Sequence, residues 1–181
     1  DIALPADEQQ DAIAIIHELE QTLRRELGSG DAGLQLVAEP VSPEGAEPLT
    51  LDASTMLVAA LHAAPCGVER MSADVPGVVE TSNNLGVVSL EQGRFHVCAL
   101  VRSLHDSAVA AMADRFKALF GLIGARVSVE NAYPGWVPNP DGALLKHFKA
   151  CHQSLLGQEP AVKVIHAGLE CGILGSKYPH L

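Results

Sequence analysis

The run from Val78 to Leu104 constrains the fold more than any other part of the chain. Its first half, Val78-Val79-Glu80-Thr81-Ser82-Asn83-Asn84-Leu85-Gly86-Val87-Val88-Ser89-Leu90, is rich in β-branched residues, and Gln92-Gly93 follows as a turn. Its second half alternates. Phe95, Val97, Ala99 and Val101 fall on one side, and Arg94, His96, Cys98, Leu100 and Arg102 on the other. This pattern predicts a long antiparallel hairpin with one apolar side. Such a side needs a cover, so the flanking sequence must supply helices to lie on it.

Four helices are expected. Ile16, Leu19, Leu23 and Leu27 recur at helical spacing over 8–27, with Asp7 as the cap. A second helix over 53–63 follows Thr50 or Asp52 and turns Met56, Leu57, Ala60 and Leu61 inward, until Pro65 and Gly67 stop it. The third, over 107–123, has Asp106 as cap, the stripe Val109, Met112, Phe116, Leu119 and Ile123, and Gly124 as its stop. The fourth, over 142–156, follows Asp141 and buries Leu144, Phe148, Cys151 and Leu155. Short strands are expected at 2–4, 33–38, 126–130 and 162–165, and loops at 39–48 and 69–77. The prolines of 133–140 exclude regular structure there. This order predicts an α+β fold, a ferredoxin-like α/β sandwich with helices on one face of a mainly antiparallel sheet.

Charge narrows the partners. Residues 1–90 hold 15 Asp and Glu against 3 Lys and Arg, while residues 91–181 hold 7 against 9. The acidic half argues against nucleic acid and against an anionic membrane surface, because phosphate contacts need clustered cations. The second half is nearly neutral and could take a small anionic group at a chosen arginine. Cys66, Cys98, Cys151 and Cys171 form no CxxC pair and no disulfide framework, so they read as reduced thiols of a cytoplasmic protein. No apolar run approaches the ~20 residues of a membrane-spanning helix. The start at Asp1 and the stop at Leu181, just past Tyr178-Pro179-His180, read as cuts through a longer chain.

Few residues suggest chemistry. In Val162-Lys163-Val164-Ile165-His166-Ala167-Gly168-Leu169-Glu170-Cys171-Gly172 an apolar strand breaks at glycine and turns toward a helix, a common form of binding corner and also an ordinary strand-to-helix turn. Arg102 ends an apolar strand, where a guanidinium could grip a carboxylate through paired hydrogen bonds or serve in a structural ion pair. The histidines make no HxH or HExxH signature, so no metal site is expected in this segment. A Cys171–His166 nucleophile pair is conceivable but lacks a third, orienting group. On the residues alone the segment is a cover or an interaction module without a catalytic set.

Five motifs in order carry a resemblance. They are Val78-Val79-Glu80-Thr81-Ser82 with Asn84 and Gly86-Val87-Val88; Leu100-Val101-Arg102-Ser103-Leu104; Ala132-Tyr133-Pro134-Gly135-Trp136; Ile165-His166-Ala167-Gly168-Leu169-Glu170-Cys171-Gly172; and Tyr178-Pro179. Together they resemble the aminoacyl-histidine dipeptidases, also called Xaa-His dipeptidases, peptidase D or bacterial carnosinases. The resemblance implies a two-zinc catalytic domain with an inserted lid that closes over the dipeptide and, in many relatives, supports a homodimer. It implies that residues 1–132 are lid and that 133–181 finish the lid and re-enter the catalytic domain. The zinc ligands and general base would then lie outside this chain, leaving it inactive alone. Arg102 would bind the dipeptide's free carboxylate, Gly168 would contact substrate through its backbone, and His166 and Glu170 would support them. The alternative is a free-standing α+β binding or dimerisation module.

Overall fold

A computed structural model of the protein describes residues 2–41, 47–167 and 169–178. The chain divides into two compact units, residues 1–50 and residues 51–181. The first contains helix α1 (Gln9–Leu27), preceded by a 3-10 turn at Ala6–Glu8 and followed by another at Gly28–Asp31. Asp7 makes no capping hydrogen bond; it lies inside the 3-10 turn, whose cap position is Pro5. On α1 the sheltered residues include Ile13, Ile16, Glu20 and Leu23, whereas Leu19 and Leu27 are exposed, so the buried stripe is rotated from the expected one. Residues 2–4 and 33–38 form no strand, because no partner ladder reaches them; Leu36 and Val37 instead lie alongside α1.

The second unit contains helix α2 (Leu51–Ala63), strands β1 (Gly67–Met71), β2 (Val79–Glu91) and β3 (Arg94–Ser103), and helices α3 (Asp106–Gly121), α4 (Ala143–Leu156) and α5 (Glu170–Lys177). The sheet order is β1-β2-β3, antiparallel throughout. This is the α+β fold expected, with helices packed on one face of the sheet. The β2–β3 turn is tight because Gln92 and Gly93 both take positive φ, 51° and 71°. β1 lies where a loop was expected. Its residues have weak strand propensity, but the edge of β2 offers unsatisfied hydrogen bonds, and the pairing is irregular.

The core sits between α3, α2 and the apolar side of β3. Ala60, Ala64, Met112, Phe116 and Phe120 are buried, and Phe95, Val97, Ala99 and Val101 pack against them. Phe116 and Phe120 stack with ring centroids 6.1 Å apart. Met56, expected inward, is exposed, and Ala53 and Ala64 share the sheltered side instead. Val127 packs against the core from an irregular segment, so 126–130 adds no strand among the described residues. Residues 162–165 are likewise irregular. The largest departure is α4. Leu144, Phe148 and Leu155 are 76%, 68% and 82% exposed, and Cys151 is exposed too. The helical period was right, but nothing among the described residues of this unit covers that face.

Phe116 offers the clearest stability test. Phe116→Ala should lower stability by about 3–5 kcal/mol through lost burial and a cavity, measured as a fall in the urea midpoint.

Candidate functional site

The site lies at the open end of the hairpin, where β2 and β3 are held by a polar network. The Glu80 carboxylate is buried. It accepts from Arg70 Nε at 2.7 Å and from the Thr81 hydroxyl at 3.2 Å, and it also meets Arg70 Nη2. Thr81 and Ser103, direct cross-strand partners, share a hydroxyl hydrogen bond of 2.8 Å. Ser103 Oγ accepts the His105 backbone N–H, and the Glu80 carbonyl accepts that of Leu104. Burial pushes the Glu80 carboxyl up, but Arg70, then Thr81 and His105, outweigh it and hold the group below its ordinary range. Ser103 and Leu104, which follow Arg102, are therefore fixed to the neighbouring strand.

Two glycines bring later segments onto this end. A Cβ on Gly135 would stand 2.5 Å from the Leu104 carbonyl oxygen, so only glycine allows that approach. Asp106 does not cap α3 through its side chain: the cap position is His105, and the Asp106 carboxylate instead accepts the Gly135 N–H at 2.6 Å. Gly172, inside α5, packs in turn on the Pro134 carbonyl, where a Cβ would come within 2.7 Å. The connector thus rests on the end of β3, and the start of α5 rests on the connector. Asp141 likewise precedes the α4 cap position, Gly142, and pairs with Lys146.

Arg102 and His166 come together here. The exposed Arg102 directs Nη1 at the His166 carbonyl oxygen, 3.4 Å away. The His166 ring is anchored on β2, with Nε2 2.7 Å from Ser82 Oγ. Burial first, and then the charge of Arg102, pull the imidazole below its usual pKa. The ring is thus neutral at neutral pH, and the guanidinium is the cation of the site. A cavity of about 330 Å³ opens beside it along the free edge of β3, and Phe116, Phe120, Tyr133, Trp136 and Ala167 are among its walls. That volume is at the small end for ligand pockets.

The other candidates stand apart. Glu170 opens α5 and is exposed, and no contact joins it to Arg102 among the described residues. Cys171 is exposed and makes no contact with His166 among them. Gly168 lies outside the described residues. Among those described, no three His, Cys, Asp or Glu side chains gather to hold a metal ion. What the arrangement offers is a cation and a neutral imidazole on the wall of a cavity of mixed polarity, with the Ser82 hydroxyl bonded to the ring.

Comparison with known proteins fits that arrangement. No family model matches the chain. It is 32% identical over 180 residues to the cytosol non-specific dipeptidase of Escherichia coli (strain K12), a match covering 99% of this chain and 37% of that enzyme. The crystal structure of the aminoacylhistidine dipeptidase from Vibrio alginolyticus matches with a TM-score of 0.90 at 36% identity, over 97% of this chain and 36% of that one. The chain is thus similar, over nearly its whole length, to a segment of each of these two dipeptidases. It spans a little over a third of the length of either dipeptidase.

Sequence reasoning singled out Arg102 and His166 but missed Ser82. The available signal was the hairpin register, since Ser82 is the cross-strand partner of Arg102. It also missed the Glu80 network, which gives a pH test. The folded carboxyl is lowered, so its stabilising effect is complete above the ordinary carboxylate range and fades as the pH falls through the lowered value. Glu80→Gln should therefore cost stability at pH 7 and progressively less toward about pH 3, read as converging urea midpoints of the two proteins.

Proposed function

We propose that this chain is the lid and substrate-binding part of a zinc-dependent dipeptidase that hydrolyses Xaa-His dipeptides such as β-alanyl-histidine. Arg102 carries the reading. It is an exposed guanidinium on a rigid strand end, beside a cavity and tethered only by one long hydrogen bond to a carbonyl among the described residues. A dipeptide always presents a free carboxylate close to its scissile bond, and a guanidinium binds that group with charge and with matched geometry. Holding that end fixes how far the peptide bond reaches, which is how an enzyme of this kind would reject longer peptides.

The described residues do not assemble a zinc site. In this proposal the two zinc ions and the general base belong to the remainder of the polypeptide, and the segment by itself is inactive. The exposed apolar face of α4 supports that arrangement, because a solvated Leu144, Phe148 and Leu155 stripe suits packing against further protein. The similarity to a cytosol dipeptidase supports a cytosolic location. Histidine preference is part of the proposal too, since one relative is named non-specific and the other is named for aminoacylhistidine.

In the longer enzyme, Arg102→Ala should lower kcat/KM for β-alanyl-histidine about 10- to 150-fold, the loss of one charged hydrogen-bonding interaction. Hydrolysis of the C-terminal amide of the same dipeptide should change little. Equal losses on the acid and the amide would overturn the carboxylate role.

A further inference from the structure

We propose that Ser82 and His166 form a seat that fixes the direction of the Arg102 guanidinium, as positioning residues that act through it. The inference rests on the carboxylate reading above. Ser82 and Arg102 are direct partners across β2 and β3. Arg102 lies on the side of β3 opposite Val101 and Ala99, which pack against the core, so its cross-strand partner shares that open side. His166 spans the pair. Its ring is held by Ser82 Oγ at 2.7 Å, while its own carbonyl oxygen meets Arg102 Nη1 at 3.4 Å. A side chain of one strand thus holds the ring, and the backbone of that same residue receives the arginine of the next strand.

The chemistry makes this a seat rather than a second binding group. The Ser82 hydroxyl and Nε2 satisfy one another whichever of them donates, so neither needs a ligand there. A neutral ring also adds no competing charge, and an incoming anion is directed to Arg102. Arginine has many rotamers, and each one excluded before binding is ordering that the ligand need not impose. The single bond to His166 occupies one N–H of five and leaves the rest of the fork free for a carboxylate.

The seat is testable in the 181-residue chain itself by NMR. The Arg102 side-chain Nε–H order parameter would be measured in the wild type, in Ser82→Ala and in Ser82→Thr, with His166→Gln as a second way to remove the ring. The binding of β-alanyl-histidine and of its C-terminal amide would then be titrated. The expected result is a loss of Arg102 order and a three- to tenfold weaker affinity for the free acid in Ser82→Ala, about the effect of one hydrogen bond. The amide should be unaffected, and Ser82→Thr should restore both readouts. An Arg102 order parameter unchanged in both Ser82→Ala and His166→Gln overturns the seat, whatever the peptides do. Lost order with the acid and amide bound alike overturns the carboxylate reading and this extension with it.

Discussion

Everything at this site depends on one extra residue in β2. Near the turn, Val87 pairs with Cys98; beyond Gly86, Leu85 pairs with Ala99, so Gly86 has no partner of its own and the register steps by one. In a strand, a one-residue step exchanges the two faces. Without the bulge, counting back from the Gln92-Gly93 turn would place Asn83 opposite Arg102. With it, Ser82 takes that place on the open side, and Asn83 turns inward opposite Val101.

The inward turn carries a cost. Asn83 is 5% exposed, its amide nitrogen rests 3.3 Å from the Met112 sulfur, and its Oδ1 finds no partner among the described residues. An unsatisfied buried amide oxygen costs on the order of 1–3 kcal/mol. A fold optimised only for stability would place an apolar residue there. The neighbouring polar groups are in a different position: Glu80, Thr81 and Ser103 are all satisfied, and they stiffen the end of β3 from which Arg102 projects. The same strand end therefore contains both an unsatisfied polar group and a well-paired set.

This also explains how much was legible in the sequence. The hairpin, its turn and the alternation of β3 are local and were readable, as were α3 and its stripe. Arg102 and His166 were readable as candidates, because a strand-ending arginine and a glycine-broken corner are visible in a linear string. Their meeting was not, since the two are brought together by Gly135 against Leu104 and Gly172 against Pro134, close approaches between segments far apart in sequence. Ser82 was hidden by the bulge, which shifts parity without changing composition. The α4 stripe failed for another reason. Periodicity reports which face is apolar, and it carries no information on whether a partner for that face lies in the same chain. Asp106 and Asp141 had the composition of caps, yet one accepts the Gly135 N–H and the other pairs with Lys146. A carboxylate near a helix start has more than one donor to choose from.

Arg102 and α4 share a physical predicament. Two opposite unit charges 4 Å apart attract by about 1 kcal/mol in bulk water, but by about 4 kcal/mol at the effective dielectric of a partly covered protein surface. An exposed guanidinium therefore discriminates less sharply between a carboxylate and its amide than a covered one would. Its orientation can be fixed within this chain, by the register that seats it and by the ring laid across it. The exclusion of water cannot be supplied by the same groups, because the cavity is open and Tyr133 and Trp136 on its wall are themselves about half exposed. The solvated face of α4 poses the complementary problem, apolar area that lacks a cover. Additional protein over this unit would answer both: it would remove α4 from water, and at the mouth of the cavity it would lower the dielectric around Arg102. In the proposed enzyme, closure would then sharpen the selectivity for a free carboxylate that Arg102 already provides.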